Sequence, residues 1–155
     1  MKETVDIKIY IDGDACPVKE ETYKVALRYQ VPVVVVANSY MRVPEHPLIE
    51  QVVVAAGPDV ADDYIAERAA ENCVVITADI LLADRAIKAG ATVIAPNGKP
   101  FTENSIGNAI AVRAIMADLR AGGDVVGGPP PFEKKDRSRF LSALDEALVA
   151  LQRNG

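Results

Sequence analysis

Five short hydrophobic runs alternate with helix-like segments along this chain, and this alternation limits the fold more than any other feature. The runs are rich in valine and isoleucine, and a turn follows each of them. Strands that alternate with helices favour right-handed crossovers and a parallel sheet that is covered on both faces. The runs lie at Ile7–Ile11, Val33–Ala37, Gln51–Ala55, Val74–Thr77 and Thr92–Ala95. The sequence therefore predicts a three-layer α/β/α fold.

The segments between the runs carry helix signals. Pro17 suits the first turn of a helix after the first strand, and Gly90 suits the end of a helix over Leu81–Lys88. Further helices are predicted at about 59–71, 103–120 and 136–153. The length of 155 residues suits a single domain, in which residues 122–155 form a connector and a C-terminal helix that packs on the rest.

Acidic residues cluster at three of the turns. Ligands of open α/β sheets bind beyond the carboxyl ends of the strands, so these turns meet in one crevice if the first and fourth strands are neighbours. Asp12 is the hardest to explain as an ordinary surface residue, because it ends the apolar strand IKIYI. The acids are Asp12, Asp14, Asp59, Asp62, Asp63, Asp79 and Asp84. A group of carboxylates at one place needs a cation among them, and a divalent metal ion is the usual one.

Each acid also has an ordinary structural interpretation. An aspartate at the start of a helix is a common N-cap, and acids in the first turn interact favourably with the helix dipole. Asp59, followed three residues later by Asp62, resembles a capping box, so Asp59 is best interpreted as a cap. This interpretation is weaker for three groups of acids at one end of the sheet than for any single residue.

The types of ligand favour magnesium or manganese. Carboxylate oxygens are hard ligands that suit Mg²⁺ and Mn²⁺, and no His or Cys pair has the spacing of a zinc site. His46 is the only histidine and lies in a loop between two prolines. Two ions about 4 Å apart, or one ion with an aspartate that orients the water, would suit hydrolysis of a phosphodiester.

Several motifs resemble known families. The segments IDGDACP, VVVVANS, VAAGPDVADDYI, VVITADILLA and GGPPPFEKKDRSRF together resemble the YaiI/YqxD family of bacterial proteins over nearly the whole chain. The positions of Asp12, Asp62 and the Thr77-x-Asp79 motif are similar to the acidic pattern of PIN-like metal-dependent ribonucleases. The IDGD segment is also similar to the first motif of the related NYN branch.

The PIN resemblance implies a five-stranded sheet in the order 3-2-1-4-5 and Mg²⁺- or Mn²⁺-dependent cleavage of RNA. The positions that match are the metal ligands Asp12, Asp62 and Asp79, the hydrogen-bonding Thr77, and Asp14 at the second polar position of the NYN pattern. The fourth PIN acid has no clear match, since Asp84 lies a helical turn or more beyond Asp79. Asp63 and Asp84 are therefore outer candidates, and the number of ions is left open.

Polar and basic residues near the same turns are candidates for phosphate contacts. Asn38 and Ser39 end the second strand, and a plain turn is their alternative interpretation. FEKKDRSRF has a mild basic excess, and a solvated helix start is the alternative there. The candidate substrate-binding residues are Asn38, Ser39, Arg42, Lys99 and Arg137.

Two other functions remain open. The Asp12-x-Asp14 motif resembles the nucleophile motif of haloacid-dehalogenase-type phosphatases, with Asp12 as the nucleophile and Ser39 in a second motif. Against this, Cys16 stands where Thr is usual, and no Lys lies between Ser39 and Asp62. The missing fourth acid motivates the other alternative, a non-catalytic module that binds metal or RNA.

Composition limits the partners and the location. A formal net charge of −5 argues against a protein that coats nucleic acid non-specifically, but not against an enzyme that uses metal ions to act on RNA. No run approaches the roughly 20 apolar residues that span a bilayer. The two cysteines make no disulfide framework and the charged start does not resemble a signal peptide, so a cytoplasmic location is predicted.

Overall fold

The structure of the protein is a computed structural model that describes residues 6–57, 59–108, 110–112 and 132–153. The end of the helix predicted at 103–120 and most of the predicted connector lie outside the described residues. Within the described part of the chain, no helix has the length and apolar character needed to cross a membrane.

In the described ranges, six strands form one mainly parallel sheet. The strands are β1 Lys8–Asp12, β2 Val33–Ala37, β3 Ile49–Val53, β4 Cys73–Ile76, β5 Thr92–Ile94 and β6 Pro100–Phe101. Their order is β3-β2-β1-β4-β5-β6, so the predicted order of the five parallel strands is confirmed. The additional strand β6 pairs antiparallel with β5. Two residues are too few to give an alternating pattern, which is why the sequence did not predict it.

Helices cover both faces of the sheet, which confirms the three-layer α/β/α fold. They are α1 Lys19–Arg28, α2 Val60–Arg68, α3 Ile80–Lys88 and the C-terminal helix Lys134–Arg153, and residues 103–108 and 110–112 are also helical. One core cluster joins α1 and the C-terminal helix to the sheet through buried side chains such as Val25 and Phe140. A second cluster joins α2 and α3 to the opposite face through Ile65 and Leu82.

Two element boundaries differ from the prediction for identifiable reasons. β3 covers Ile49–Val53 and not Gln51–Ala55, because its pairing with β2 runs from Val33 to Ala37 and ends where β2 ends. Helix α2 ends at Arg68 and not near residue 71, because the backbone of the next residue is extended. The other predicted strand and helix ends in the described ranges agree with the structure to within two residues, and those of β2 agree fully.

The C-terminal helix is fixed to the domain by specific contacts. Asp145 accepts hydrogen bonds from Arg28 Nη1 at 2.9 Å and from the Tyr29 hydroxyl at 2.8 Å. Gly98, in the turn after β5, has a φ of +87° and lies against the helix backbone. A Cβ at this position would come within 2.5 Å of the carbonyl carbon of Arg139, so only glycine fits.

Candidate acidic site at the carboxyl edge of the sheet

The carboxyl ends of β1 and β4 lie side by side at the centre of the sheet. Ile11 pairs with Ile76, so the next residues along each strand, Asp12 and Thr77, are neighbours. The chain leaves β1 toward β2 on one side, while β4 lies on the other. This is the topological switch point at which open α/β sheets bind ligands, and the acidic turns converge there.

Thr77 links two of the predicted acids. Its side chain is 2% exposed, and its hydroxyl donates to Asp12 Oδ2 at 2.9 Å. The same hydroxyl accepts a hydrogen bond from the backbone N–H of Asp79 at 2.9 Å. One hydroxyl can do both because it has one hydrogen and two lone pairs. The bridge fixes the carboxylate of Asp12 relative to the start of α3.

Asp79 caps α3 with one of its oxygens. Oδ1 accepts from the backbone N–H groups of Leu81 at 2.9 Å and Leu82 at 3.3 Å, two donors that the helix itself leaves unpaired. Asp59 occupies the N-cap position of α2, but its side chain makes no capping hydrogen bond. The cap interpretation therefore applies to Asp79 more than to Asp59. Oδ2 of Asp79 takes no part in the cap.

Asp62 brings a carboxylate from the first turn of α2 to the same place. Burial raises the pKa of Asp62 to about 6, and the negative charges of Asp79 and Asp12 contribute to the shift. Burial also raises the pKa of Asp12, with Asp79 and Asp14 adding to the effect and the Thr77 hydroxyl opposing it. Carboxylates from three separate turns thus lie close enough to repel one another.

Asp14 lies in the 3₁₀ turn that follows β1 and is directed toward the end of β2. Both of its oxygens are 3.1 Å from the backbone nitrogen of Asn38, which donates to the carboxylate. Gly13 allows the turn to lie against β2, since a Cβ there would come within 2.8 Å of Val35 Cγ1. The IDGD segment is therefore tied to the neighbouring strand, and Asp14 lies at the rim of the site.

The two outer candidates form ion pairs. Asp63 Oδ1 lies 2.6 Å from Arg85 Nη1, and Asp84 Oδ2 lies 2.9 Å from Lys88 Nζ. In the described part of the chain, no ion pair involves Asp62, although it is adjacent to Asp63 in sequence. The ion pairs thus distinguish Asp63 and Asp84 from the central acids, which are Asp12, Asp62 and Asp79.

The basic candidates for substrate contact differ in their surroundings. Arg42 and Lys99 are exposed, and neither forms an ion pair with another described residue. Arg137 donates to the Pro17 carbonyl at 2.7 Å and pairs with Glu21 at 3.1 Å. Arg137 therefore helps to attach the C-terminal helix to α1, while Arg42 and Lys99 are available to a ligand.

The loop after β2 contains Tyr40, which was not among the candidate site residues predicted from the sequence. Asn38 Nδ2 donates to the Ala55 carbonyl at 3.1 Å, which makes Asn38 part of a fixed turn, and Ser39 is exposed. Tyr40 follows them with 80% of its surface exposed. The signal available in the sequence was an aromatic residue directly after two polar residues at a strand end.

A pocket of about 210 Å³ lies beside the central acids. It is lined by Asp12, Cys16, Thr77, Ala78, Asp79 and Pro96. Since a water molecule occupies roughly 30 Å³, the pocket has room for several water-sized groups. Burial raises the pKa of the Cys16 thiol, so this thiol is neutral. Cys16 therefore contributes only an uncharged surface to the lining of the pocket.

The donor chemistry of the site fits a hard divalent cation. Carboxylate oxygens with a neighbouring hydroxyl suit Mg²⁺ or Mn²⁺, whereas zinc favours nitrogen and sulfur. As the side chains stand, no three His, Cys, Asp or Glu residues among those described are arranged to hold one ion together. The types of ligand at the site therefore fit such a cation, although the described side chains do not form a complete set of ligands for one ion.

Comparison with known proteins identifies the family. The model of a family described as "Uncharacterized BCR, YaiI/YqxD family" matches residues 10–150. The chain belongs to this family. The resemblance to the YaiI/YqxD family is therefore confirmed. The strand order is consistent with the order that the PIN resemblance implies.

Curated relatives cover almost all of the YaiI/YqxD chain. A UPF0178 protein of Sphingopyxis alaskensis is 68% identical over 146 residues, which are 94% of this chain and 95% of the relative. A UPF0178 protein of Nitrobacter winogradskyi is 60% identical over 95% of this chain and 94% of its own length. UPF0178 protein bll3966 of Bradyrhizobium diazoefficiens is 62% identical, with 94% and 87% covered. No solved structure matches the chain significantly.

Proposed function

We propose that this protein is a divalent-metal-dependent hydrolase that cleaves phosphodiester bonds in RNA. The observation that carries the proposal is the meeting of Asp12, Asp62 and Asp79, from three separate turns, at the switch point of the sheet. None of the three forms an ion pair with another described residue. Carboxylates gathered in this way favour a bound cation, which would reduce their mutual repulsion.

The residues of the site have distinct roles in this proposal. A bound Mg²⁺ or Mn²⁺ would make the attacking water more acidic and stabilise the leaving oxygen. Asp12, oriented by the hydroxyl of Thr77, and Asp79, oriented by its helix cap, are the preorganised ligands. Asp62, on α2, would be the third ligand of the ion. Asp14, whose oxygens already accept from Asn38, belongs at the edge of the set.

RNA is the substrate class that the resemblance to PIN-like ribonucleases favours. With a net charge of −5, the protein needs local positive charge to hold a polyanion. The metal ion would supply part of it. Arg42, in the loop after β2, and Lys99, in the turn that includes the pocket residue Pro96, would supply the rest.

The test is cleavage of labelled single-stranded RNA by the purified protein in Mn²⁺, compared with two neighbouring variants. Asp62→Asn should lower the rate at least about 100-fold, because even residues that only hold a metal ligand in place typically contribute 10–100-fold. Asp63→Asn is the matched control, since Asp63 lies on the same helix turn but pairs with Arg85. It should change the rate less than about threefold, as expected for an exposed ion pair.

The outcomes separate the proposal from its alternatives. The metal-dependent nuclease would be rejected if Asp62→Asn cleaved RNA as fast as Asp63→Asn and the wild type do. Cleavage that persists in EDTA would also reject it. Stoichiometric Mn²⁺ binding without turnover of any RNA would favour the non-catalytic module. Hydrolysis of phosphomonoesters, with a trapped aspartyl phosphate at Asp12, would favour the phosphatase.

A further inference from the structure

We propose that Tyr40 is a stacking platform for an unpaired base of single-stranded RNA bound across the acidic edge. This inference rests on the proposed function, because it takes RNA as the substrate and adds which part of it the protein holds. Tyr40 is 80% exposed, the most exposed of the large hydrophobic residues that the described ranges contain. An aromatic ring in this position has no role in the packing of the fold.

The loop that carries Tyr40 is held on both sides. Before it, Asn38 is fixed through its backbone N–H to Asp14 and through its side chain to the Ala55 carbonyl. After it, the amide of Gln51 accepts from the Met41 N–H at 2.7 Å and donates to the Met41 carbonyl at 2.7 Å. The backbone that carries the ring is therefore preorganised, so little backbone entropy would be lost when a ligand stacks on the ring.

Tyr40 lies next to the acidic site. Asn38 contacts Asp14 directly, and two residues of extended chain span at most about 7 Å, so the backbone of Tyr40 lies within about that distance of Asn38. The loop that carries Tyr40 therefore adjoins Asp14 at the rim of the acidic site, and the proposal places at the ring a base next to the bound phosphate.

An exposed basic side chain lies on each side of the acidic site, where it could contact the backbone of a nucleic acid. Arg42 lies two residues beyond it, exposed and without an ion-pair partner among the residues described. Lys99 lies on the other side of the site, in the turn that includes Pro96. A single strand that crosses the edge from Arg42 to Lys99 would pass the central acids, with its bases able to reach Tyr40.

The chemistry favours an unpaired base. Every base has a π face, and stacking on an aromatic side chain contributes about 1–3 kcal/mol per base without requiring a particular sequence. In a duplex these faces are covered by neighbouring bases, and proteins read single strands by stacking on splayed bases. Tyr40 would therefore select single-stranded over double-stranded RNA.

The experiment measures binding of a fluorescent single-stranded RNA of about ten nucleotides by anisotropy in Mg²⁺, with the integrity of the RNA checked on a gel. The same protein is titrated with an abasic oligomer of equal length and charge. Tyr40→Ala removes the ring, Tyr40→Phe retains it, and Tyr40→Leu retains only apolar surface. Thermal melting of each variant checks the fold, which should be unaffected because the side chain is exposed.

We expect Tyr40→Ala to weaken binding of RNA roughly 5- to 100-fold and to leave binding of the abasic oligomer unchanged. Tyr40→Phe should bind like the wild type, and Tyr40→Leu like Tyr40→Ala. The inference is overturned if Tyr40→Ala binds RNA normally, if Leu replaces Tyr as well as Phe does, or if the wild type binds no RNA.

The two proposals fail in different ways. If the wild type binds RNA through Tyr40 but never cleaves it in Mn²⁺, the proposed function fails and this inference stands. If the wild type cleaves RNA in an Asp62-dependent manner and Tyr40→Ala binds and cleaves like the wild type, this inference fails and the proposed function stands.

Discussion

Two groups of aspartates in this protein have opposite surroundings. Asp63, Asp84 and Asp145 each lie within 3 Å of a basic side chain. Asp12, Asp62 and Asp79 lie at the carboxyl edge of the sheet and form no ion pair within the described ranges. In the first group, Asp63 and Asp145 pair with residues of another helix and Asp84 pairs with Lys88 of its own helix, while the second group gathers negative charge at one place.

The contrast is sharpest between Asp62 and Asp63. Adjacent residues of an α-helix point about 100° apart, so one carboxylate faces the edge acids and the other faces Arg85 on α3. Residue type and position in the sequence are nearly identical for the two. What separates their roles is the direction in which the helix presents each side chain.

The largest effect on stability should come from the Thr77 hydroxyl, which bonds to both Asp12 and Asp79. Thr77→Val removes the donor to Asp12 and leaves the backbone N–H of Asp79 without its acceptor. Because the site is buried, we expect a loss of about 1–3 kcal/mol in the free energy of unfolding, measured by urea denaturation. Thr77→Ser keeps the hydroxyl and should lose clearly less. Equal losses in the two variants would show that the methyl group matters and the hydrogen bonds do not.

A smaller effect, with a distinctive pH dependence, is expected at Asp62. Its pKa rises from 3.8 to about 6 on folding, so the folded protein holds this proton more tightly than the unfolded chain. The free energy of unfolding therefore falls as the pH rises from about 4 to about 6. Asp62→Asn cannot lose a proton and should be more stable than the wild type at pH 7.5, by ~1 kcal/mol or less after solvent screening, and equally stable near pH 4.

Asp145→Asn is the control from the other group and should change stability in the opposite direction. It weakens the contacts of Asp145 with Arg28 and the Tyr29 hydroxyl, so we expect a loss of about 1 kcal/mol at neutral pH. Melting temperatures of the two variants and the wild type across this pH range provide the comparison. If Asp62→Asn loses stability at pH 7.5 as Asp145→Asn does, the central acids do not repel one another as described.

Most of the sheet could be predicted because its central strands are mainly runs of apolar, β-branched residues. VVVVA is buried at every position and its bounds were predicted correctly, since a continuous valine run is typical of a central parallel strand. β3 was misplaced because it lies at an edge, where the pairing partner and not its own hydrophobicity decides the bounds. The two residues of β6 gave no pattern at all.

The site could be predicted only in part. The convergence of the acidic turns follows from the strand order, which the resemblance to PIN-like ribonucleases implied, whereas the alternation alone favoured only a parallel sheet. The sequence could not distinguish which of Asp59 and Asp79 makes a capping hydrogen bond, because that depends on local backbone geometry. Nor could it reveal the exposure of Tyr40, since an aromatic residue in a chain is more often buried than held on the surface.

The most direct test of the account is a crystal structure of the wild-type protein grown with Mn²⁺ and measured at an energy where manganese scatters anomalously. We predict an anomalous peak at the carboxyl edge, about 2 Å from oxygens of Asp12 and Asp79, with Asp62 turned toward it. A protein saturated with Mn²⁺ that shows no peak at these residues, or a peak only beside Asp63 or Asp84, would contradict the claim that the edge acids form a metal site.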